Sequence, residues 1–303
     1  GCKTLQTCTT KKGQSFFKSY NFKLVIKVIK ITNFFLTRVA GLININRINK
    51  REKVEAIYKK YLGKEFNYEE EINSEEYAVV ISNHIGWIDI FYIANISGAS
   101  FAAKNTLLTY PCVGVICDAM NTVWIDRANK EKNVEAYKEI NNRQEEIMKG
   151  GCHNKIVLFP EGTGTNNSGI IQFKKGAFHL LKPVKPYVIL VNGNGKVVDG
   201  EKPRVTDEFS LSAGIMKMTV HIALTFCYLY FDEWTVIDLP VLRPNEYMYE
   251  TYKDLGKDRA DIYKQVCQSI MSEVSGLPVH KDMNFESKLS YLSILNGKIT
   301  KTT

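Results

Sequence analysis

The 303-residue sequence lacks the markers that sort many chains at a glance. Its seven cysteines are odd in number and scattered, with no C-x2-C spacing. That excludes zinc-finger arrangements, argues against a disulfide framework, and fits reduced thiols facing the cytosol. Cys112 and Cys117, the nearest pair, read as core filling, and Cys152-His153 has no visible metal partner. No aromatic-and-basic RNA-binding signature is present. Of the two partners that a net charge of +8 suggests, nucleic acid is therefore disfavoured against an anionic membrane surface. Internal repeats and low-complexity linkers are missing. What the chain has is 45% hydrophobic and 11% aromatic residues, enough for a sizeable core in one large domain or two small ones.

An uninterrupted apolar run of about 20 residues, as a membrane span needs, is not found near the start. Residues 22–48 are rich in apolar side chains but broken by Lys23, Lys27, Lys30, Arg38 and Arg47. Two readings fit: a basic amphipathic helix lying in a membrane interface, or a surface helix whose apolar stripe packs on the core. The chain begins Gly1-Cys2-Lys3-Thr4, which reads either as a fragment boundary or as a processed start with Gly1 myristoylated and Cys2 palmitoylated. Against the lipid reading, Leu5 stands where serine or threonine is usual. Further on, Ala213 to Phe231 is strongly apolar but holds Lys217 and His221, and reads as a buried helix or one dipping into a bilayer.

Between these stretches strands and helices alternate. Residues 49–76 are charged and read as a helix and loop. Tyr77–Ile81, Val123–Arg127, Lys155–Phe159, Val184–Val191 and residues 233–241 read as strands. Ile88–Ile96, residues 129–149 closed by Gly150-Gly151, Phe173–Phe178 and residues 257–274 read as helical. The pattern predicts an α/β fold with a mixed central sheet flanked by helices.

The chemistry concentrates in Ser82-Asn83-His84-Ile85-Gly86-Trp87-Ile88-Asp89, where a strand hands over to a helix. A carboxylate beside an imidazole fixes its tautomer and stabilises the imidazolium formed when it takes a proton. No serine or cysteine in the segment stands out as a nucleophile, so the economical reading is a general base that deprotonates a substrate hydroxyl. For the pair alone, the bland reading is a helix-capping His84 and a solvated first-turn Asp89.

Three further segments follow in order: Trp124-Ile125-Asp126-Arg127, Phe159-Pro160-Glu161-Gly162-Thr163 and Val184-Lys185-Pro186-Tyr187-Val188. The ordered set, spanning about residues 78–192, resembles the glycerolipid (lysophospholipid) acyltransferase family, with its N-H-x4-D, arginine, F-P-E-G-T and proline-centred blocks. Glu161 to Asn166, Phe173 to Phe178 and Leu239-Pro240-Val241-Leu242-Arg243-Pro244 are similar to the lysophosphatidylcholine and lysophosphatidylethanolamine branch. Gly86 stands where serine is common, and no EF-hand loop follows, which sets aside the calcium-loop members as close models.

The resemblance implies acyl transfer from acyl-coenzyme A, a co-substrate and not a cofactor, to the free hydroxyl of a lysophospholipid. No metal is required. His84 would take the hydroxyl proton and Asp89 orient it, with no covalent acyl-enzyme. Backbone N–H groups opening the next helix would hold the oxyanion. Arg127, Glu161, Gly162 and Thr163 would frame the acceptor, and Lys174 and Lys175 would meet coenzyme A phosphates or lipid headgroups. Residues 1–76 would be a membrane-associating region with an amphipathic helix, and 77–303 the acyltransferase domain. The expected location is a membrane, the endoplasmic reticulum, with the site facing the cytosol. Lysophosphatidic acid or glycerol 3-phosphate is the alternative acceptor, and a non-catalytic lipid-binding protein the alternative of another class.

Overall fold

The computed structural model describes residues 45–47, 51–105, 117, 120–125, 130–151, 154–192, 233–284, 286, 287, 290 and 293. The expected interfacial helix lies outside them, apart from residues 45–47, as do Ala213–Phe231 and Arg127. In chain order the described elements begin with strand β1 (Ile45–Arg47), helices α1 (Arg51–Leu62) and α2 (Tyr68–Ile72), strand β2 (Val79–Ser82) and helix α3 (Trp87–Ser97). Strands β3 (Ser100–Lys104) and β4 (Val123–Ile125), helix α4 (Lys130–Met148), and strands β5 (Ile156–Leu158), β6 (Ile170–Ile171) and β7 (Val184–Asn192) follow. The last are β8 (Glu233–Asp238), α5 (Glu246–Thr251), α6 (Arg259–Ser275) and β9 (Val279–His280).

Seven strands form one mixed sheet in the order β1-β8-β7-β2-β5-β3-β4, and β6 pairs with β9 in a small second sheet. Every neighbouring pair is parallel except β7 and β8. Parallel strands are covered on both faces, so they carry continuous apolar runs. Val79, Val80 and Ile81 of β2 are all fully buried, and so are Val188 and Ile189 of β7. Alternation then sorts them. Val79, Ile81, Val184, Val188 and Leu190 pack under α1, α5 and α6, while Val80, Val157, Tyr187 and Ile189 pack with Tyr92 and Ile93 of α3.

One expectation changes. The helix expected over 22–48 does not extend through 45–47, which add to β8 as a parallel edge strand. The alternation Ile43-Asn44-Ile45-Asn46 has period two, and the open side of β8 supplies the ladder. The charged stretch before β2 forms helices and loop as expected, and α1 also contributes to the core. Val54, Ile57, Tyr58, Tyr61 and Leu62 of α1 form one apolar stripe in the main core. Tyr58 is fully buried, and its hydroxyl donates to Pro240 C=O at 2.8 Å.

Helix α6 anchors this layer. Asp258 caps its first turn by accepting the Asp261 N–H at 2.8 Å, and Gly276 ends it with φ 81°, its N–H donating to Ser272 C=O. Fully buried Tyr263 on α6 donates to Leu242 C=O at 2.7 Å and lies 3.1 Å from Lys182 C=O. Tyr263→Phe keeps the ring and removes one of two donors to the Leu242 carbonyl, which still accepts the Val184 N–H at 3.1 Å. We expect it to lower unfolding free energy by about 1–2 kcal/mol in urea denaturation, with an unchanged m-value. Unchanged stability would mean these hydroxyl bonds contribute nothing net.

Candidate active site

Strands β2 and β5 are parallel neighbours, so their carboxyl ends open on the same edge of the sheet. In open α/β sheets that edge is where ligands gather. His84 lies two residues beyond β2, and Glu161 three beyond β5. Between strand and histidine, Asn83 acts as a side-chain extension of the ladder. Its Nδ2 donates to Ile189 C=O and its Oδ1 accepts Ile189 N–H, each at 2.8 Å, with the residue 2% exposed. The turn therefore leaves β2 from a point tied to β7.

The turn is organised by one oxygen. Asp89 Oδ2 lies 2.9 Å from His84 Nδ1 and accepts the N–H groups of Ile85 at 2.6 Å and Gly86 at 3.1 Å. Gly86 precedes α3 and Asp89 is its third residue. A third-position carboxylate reaching back to the residue before the helix is the reciprocal arm of a capping box. The positive end of the helix dipole further favours a negative charge there. The capping role and the histidine-orienting role are thus performed by the same group. Asp89 is fully buried, whereas the side chain of His84 is 21% exposed. Phe159 stacks on the imidazole at 4.3 Å and 23°. His84 C=O accepts Thr165 N–H at 2.7 Å and Thr165 Oγ1 at 3.1 Å.

Glu161 closes the turn from the other strand. Its Oε2 accepts His84 N–H at 2.7 Å and its Oε1 accepts Ile171 N–H at 3.1 Å. Complete burial pushes its pKa up to about 7, against the lowering effect of those two amides. Glu161 thus supports the backbone of His84 and lies beneath the site. Gly162 follows at φ 69°, a left-handed conformation, and a β-carbon there would sit 2.9 Å from Lys174 Cε and Nζ. The left-handed backbone favours glycine, whereas the lysine tip is flexible and could move aside. Thr163 continues the same half-buried turn.

Of the residues singled out in the sequence, His84, Asp89, Glu161, Gly162 and Thr163 come together, with Lys174 folded over Gly162. Lys175 does not join them. Its ammonium pairs with Asp258 and Asp261, both at 2.8 Å, on the cap and first turn of α6. Arg127 lies outside the described residues. The amides of Ile85 and Gly86, natural candidates for an oxyanion hole, are directed at Asp89 instead. The roles of Asn83, Phe159 and Thr165 were not legible, although all three stand in segments that carry the family resemblance. Among the described residues, no group of three or more His, Cys, Asp or Glu side chains converges as a metal site.

The chemical capacity follows from the geometry. With Nδ1–H donated to Asp89, the imidazole accepts a proton through Nε2, from a side chain that reaches solvent. Such a dyad deprotonates a hydroxyl brought to it.

Residues 64–192 match the family model described as Acyltransferase. The lysophospholipid acyltransferase LPEAT1 of Arabidopsis thaliana is 27% identical over 229 residues, covering 75% of this chain and 52% of that protein. The human lysophosphatidylcholine acyltransferase 2 is 28% identical, covering 66% of this chain and 32% of that protein. The 1-acyl-sn-glycerol-3-phosphate acyltransferase of Cocos nucifera is 30% identical over 42% of each chain. The chain thus spans about half or less of the length of these relatives. A crystal structure of the 1-acyl-sn-glycerophosphate acyltransferase PlsC from Thermotoga maritima aligns at a TM-score of 0.39 and 16% identity, covering 84% of this chain and 97% of that one.

Glu161 also gives a stability signature. Its folded pKa is raised from 4.5 to about 7, so its favourable contribution is complete below pH about 4.5 and is lost as pH climbs through about 7. Relative to Glu161→Gln, wild-type unfolding free energy is expected to fall by roughly 3 kcal/mol across that window. Urea titrations at pH 4.5, 6 and 7.5 measure it, and parallel stability curves for the two proteins would refute it.

Proposed function

We propose that the protein, whose residues 64–192 match the acyltransferase family model, moves a fatty acyl group from acyl-coenzyme A to the free hydroxyl of a lysophospholipid. The carrying observation is the dyad, with His84 Nδ1 2.9 Å from Asp89 Oδ2 on a partly exposed imidazole. His84 Nε2 removes the acceptor's hydroxyl proton as the oxygen attacks the thioester carbonyl. The tetrahedral intermediate then collapses, and the coenzyme A thiolate leaves and takes the proton from the imidazolium. Asp89 holds the tautomer and balances the transient charge without itself being protonated. The acyl group passes directly between substrates, and no protein nucleophile is used.

Lysophosphatidylcholine or lysophosphatidylethanolamine is the favoured acceptor, a reading supported by likeness to the Arabidopsis and human proteins. Lysophosphatidic acid or glycerol 3-phosphate is the second reading, supported by likeness to the coconut protein. Arg127 and the Gly162–Thr163 turn are assigned to the acceptor, arginine for its bidentate fit to phosphate. Lys174, folded over Gly162, is assigned to the coenzyme A phosphates or the headgroup.

We place the protein on a membrane, the endoplasmic reticulum, with the site towards the cytosol, because its substrates are lipids and its net charge of +8 favours an anionic surface. Among the described residues no helix is long and apolar enough to cross a membrane.

The test is thiol release from acyl-coenzyme A across a panel of lysolipids. Wild-type protein should release thiol only with acceptor present. His84→Ala should lose about 10²–10⁴-fold in kcat/KM while keeping its circular dichroism spectrum. Full activity in that variant would end the mechanism, and no acceptor-dependent release across the panel would favour a lipid-binding protein without catalysis.

A further inference from the structure

Among the described residues, strand β6 has one partner strand, β9. On that side Ile170 N–H donates to Pro278 C=O at 2.9 Å and Gln172 N–H to Met283 C=O at 3.0 Å. Successive residues of a strand point their amides to opposite edges, so Ile171 faces the other way. There two side chains satisfy it in place of a third strand. Its N–H donates to Glu161 Oε1 at 3.1 Å, and its C=O accepts Gln268 Nε2 at 2.7 Å.

Gln268 lies on α6 in a buried stripe with Cys267, Ile270 and Met271 and is 2% exposed. A buried amide in apolar surroundings is costly unless it is bonded. Here it is bonded to the strand residue that holds Glu161. The opposite side of β6 is wedged shut, since a β-carbon on Gly169 would fall 2.4 Å from His280 Nε2. β6 is therefore a strut fixed by β9 on one edge and by α6 on the other.

We infer that Gln268 is a positioning residue for the catalytic base: it fixes Ile171, Ile171 fixes Glu161, and Glu161 Oε2 holds the N–H of His84. The path joins α6, which lies beyond the matched residues 64–192, to the turn that carries the chemistry. It rests on the proposed acyl transfer through His84. Gln268 touches no substrate and acts only through placement, where small displacements of a base have large effects on rate.

The test is a mutant cycle on the full chain with acyl-coenzyme A and the most active lysolipid. Gln268→Met, similar in volume but without the donor, should lower kcat about ten-fold and leave the acyl-coenzyme A KM within about two-fold. In a Glu161→Gln background, where the link is already weakened, the same change should cost less than about two-fold more. Equal losses in both backgrounds mean a merely structural glutamine and overturn the inference. So does unchanged kcat. Amide hydrogen exchange gives a readout independent of turnover. His84 and Ile171 should exchange faster in Gln268→Met while Val79–Ile81 stay as protected as in wild type, and uniform or absent acceleration overturns the inference. Should Gln268→Met fail to fold, Gln268→Asn shortens the reach of the amide by one carbon and is read by the same criteria. If wild-type protein transfers no acyl group to any acceptor, the proposed function fails, and selective exchange at His84 still decides whether the strut exists.

Discussion

A chain that leaves a strand and enters a helix passes through several residues whose amides belong to neither ladder. When that turn is buried, each N–H must find an acceptor or raise the free energy of the folded state. Asp89 meets this requirement for Ile85 and Gly86 with a single oxygen, and the same oxygen takes the ring nitrogen of His84. The converse also holds. A fully buried carboxylate is expensive unless several donors surround it, and the turn supplies three to one oxygen. Helix capping and imidazole orientation are solved by one arrangement around Oδ2, while Oδ1 is buried with no hydrogen-bond partner among the described residues, so the dyad is a consequence of how the turn folds.

The remaining supports reach that turn from different elements. Asn83 ties its entry to β7, Thr165 holds the carbonyl of His84, and Glu161 holds its amide from the end of β5. Phe159, from the same end of β5, covers the ring. The two ends of adjacent parallel strands therefore carry complementary halves of the site, one the base and the other its frame. Gln268 links this frame to α6, the helix whose apolar stripe dominates the main core.

Much of this was legible where local sequence mirrors local burial. β2 and β5 are continuous apolar runs because parallel strands bury both faces, β7 is apolar from Tyr187 to Val191, and α4 is followed by Gly150 held at φ 81°. The edge elements were not legible. β6 and β9 are two residues each and meet across more than a hundred residues of chain, so neither carries a period that marks it. The destination of Lys175 depends on carboxylates 83 and 86 residues away, a pairing that spacing does not encode. Gln268 falls within a helical pattern that reads correctly as a helix, but its partner is a backbone carbonyl on β6, which no motif records. The position of Glu161 in its motif was visible. That it holds the amides of His84 and Ile171 depends on contacts 77 and 10 residues away, which the motif does not encode.

The central claim is that Asp89 fixes the imidazole of His84 with its proton on Nδ1 and its basic lone pair on Nε2. Nitrogen-15 NMR of histidine-labelled protein, read at a pH where the ring is neutral and assigned with His84→Ala, measures that tautomer directly. The account predicts a protonated Nδ1 and an unprotonated Nε2 in the wild type, with the preference lost in Asp89→Asn. A wild-type ring protonated on Nε2, or a tautomer unchanged by Asp89→Asn, would contradict it.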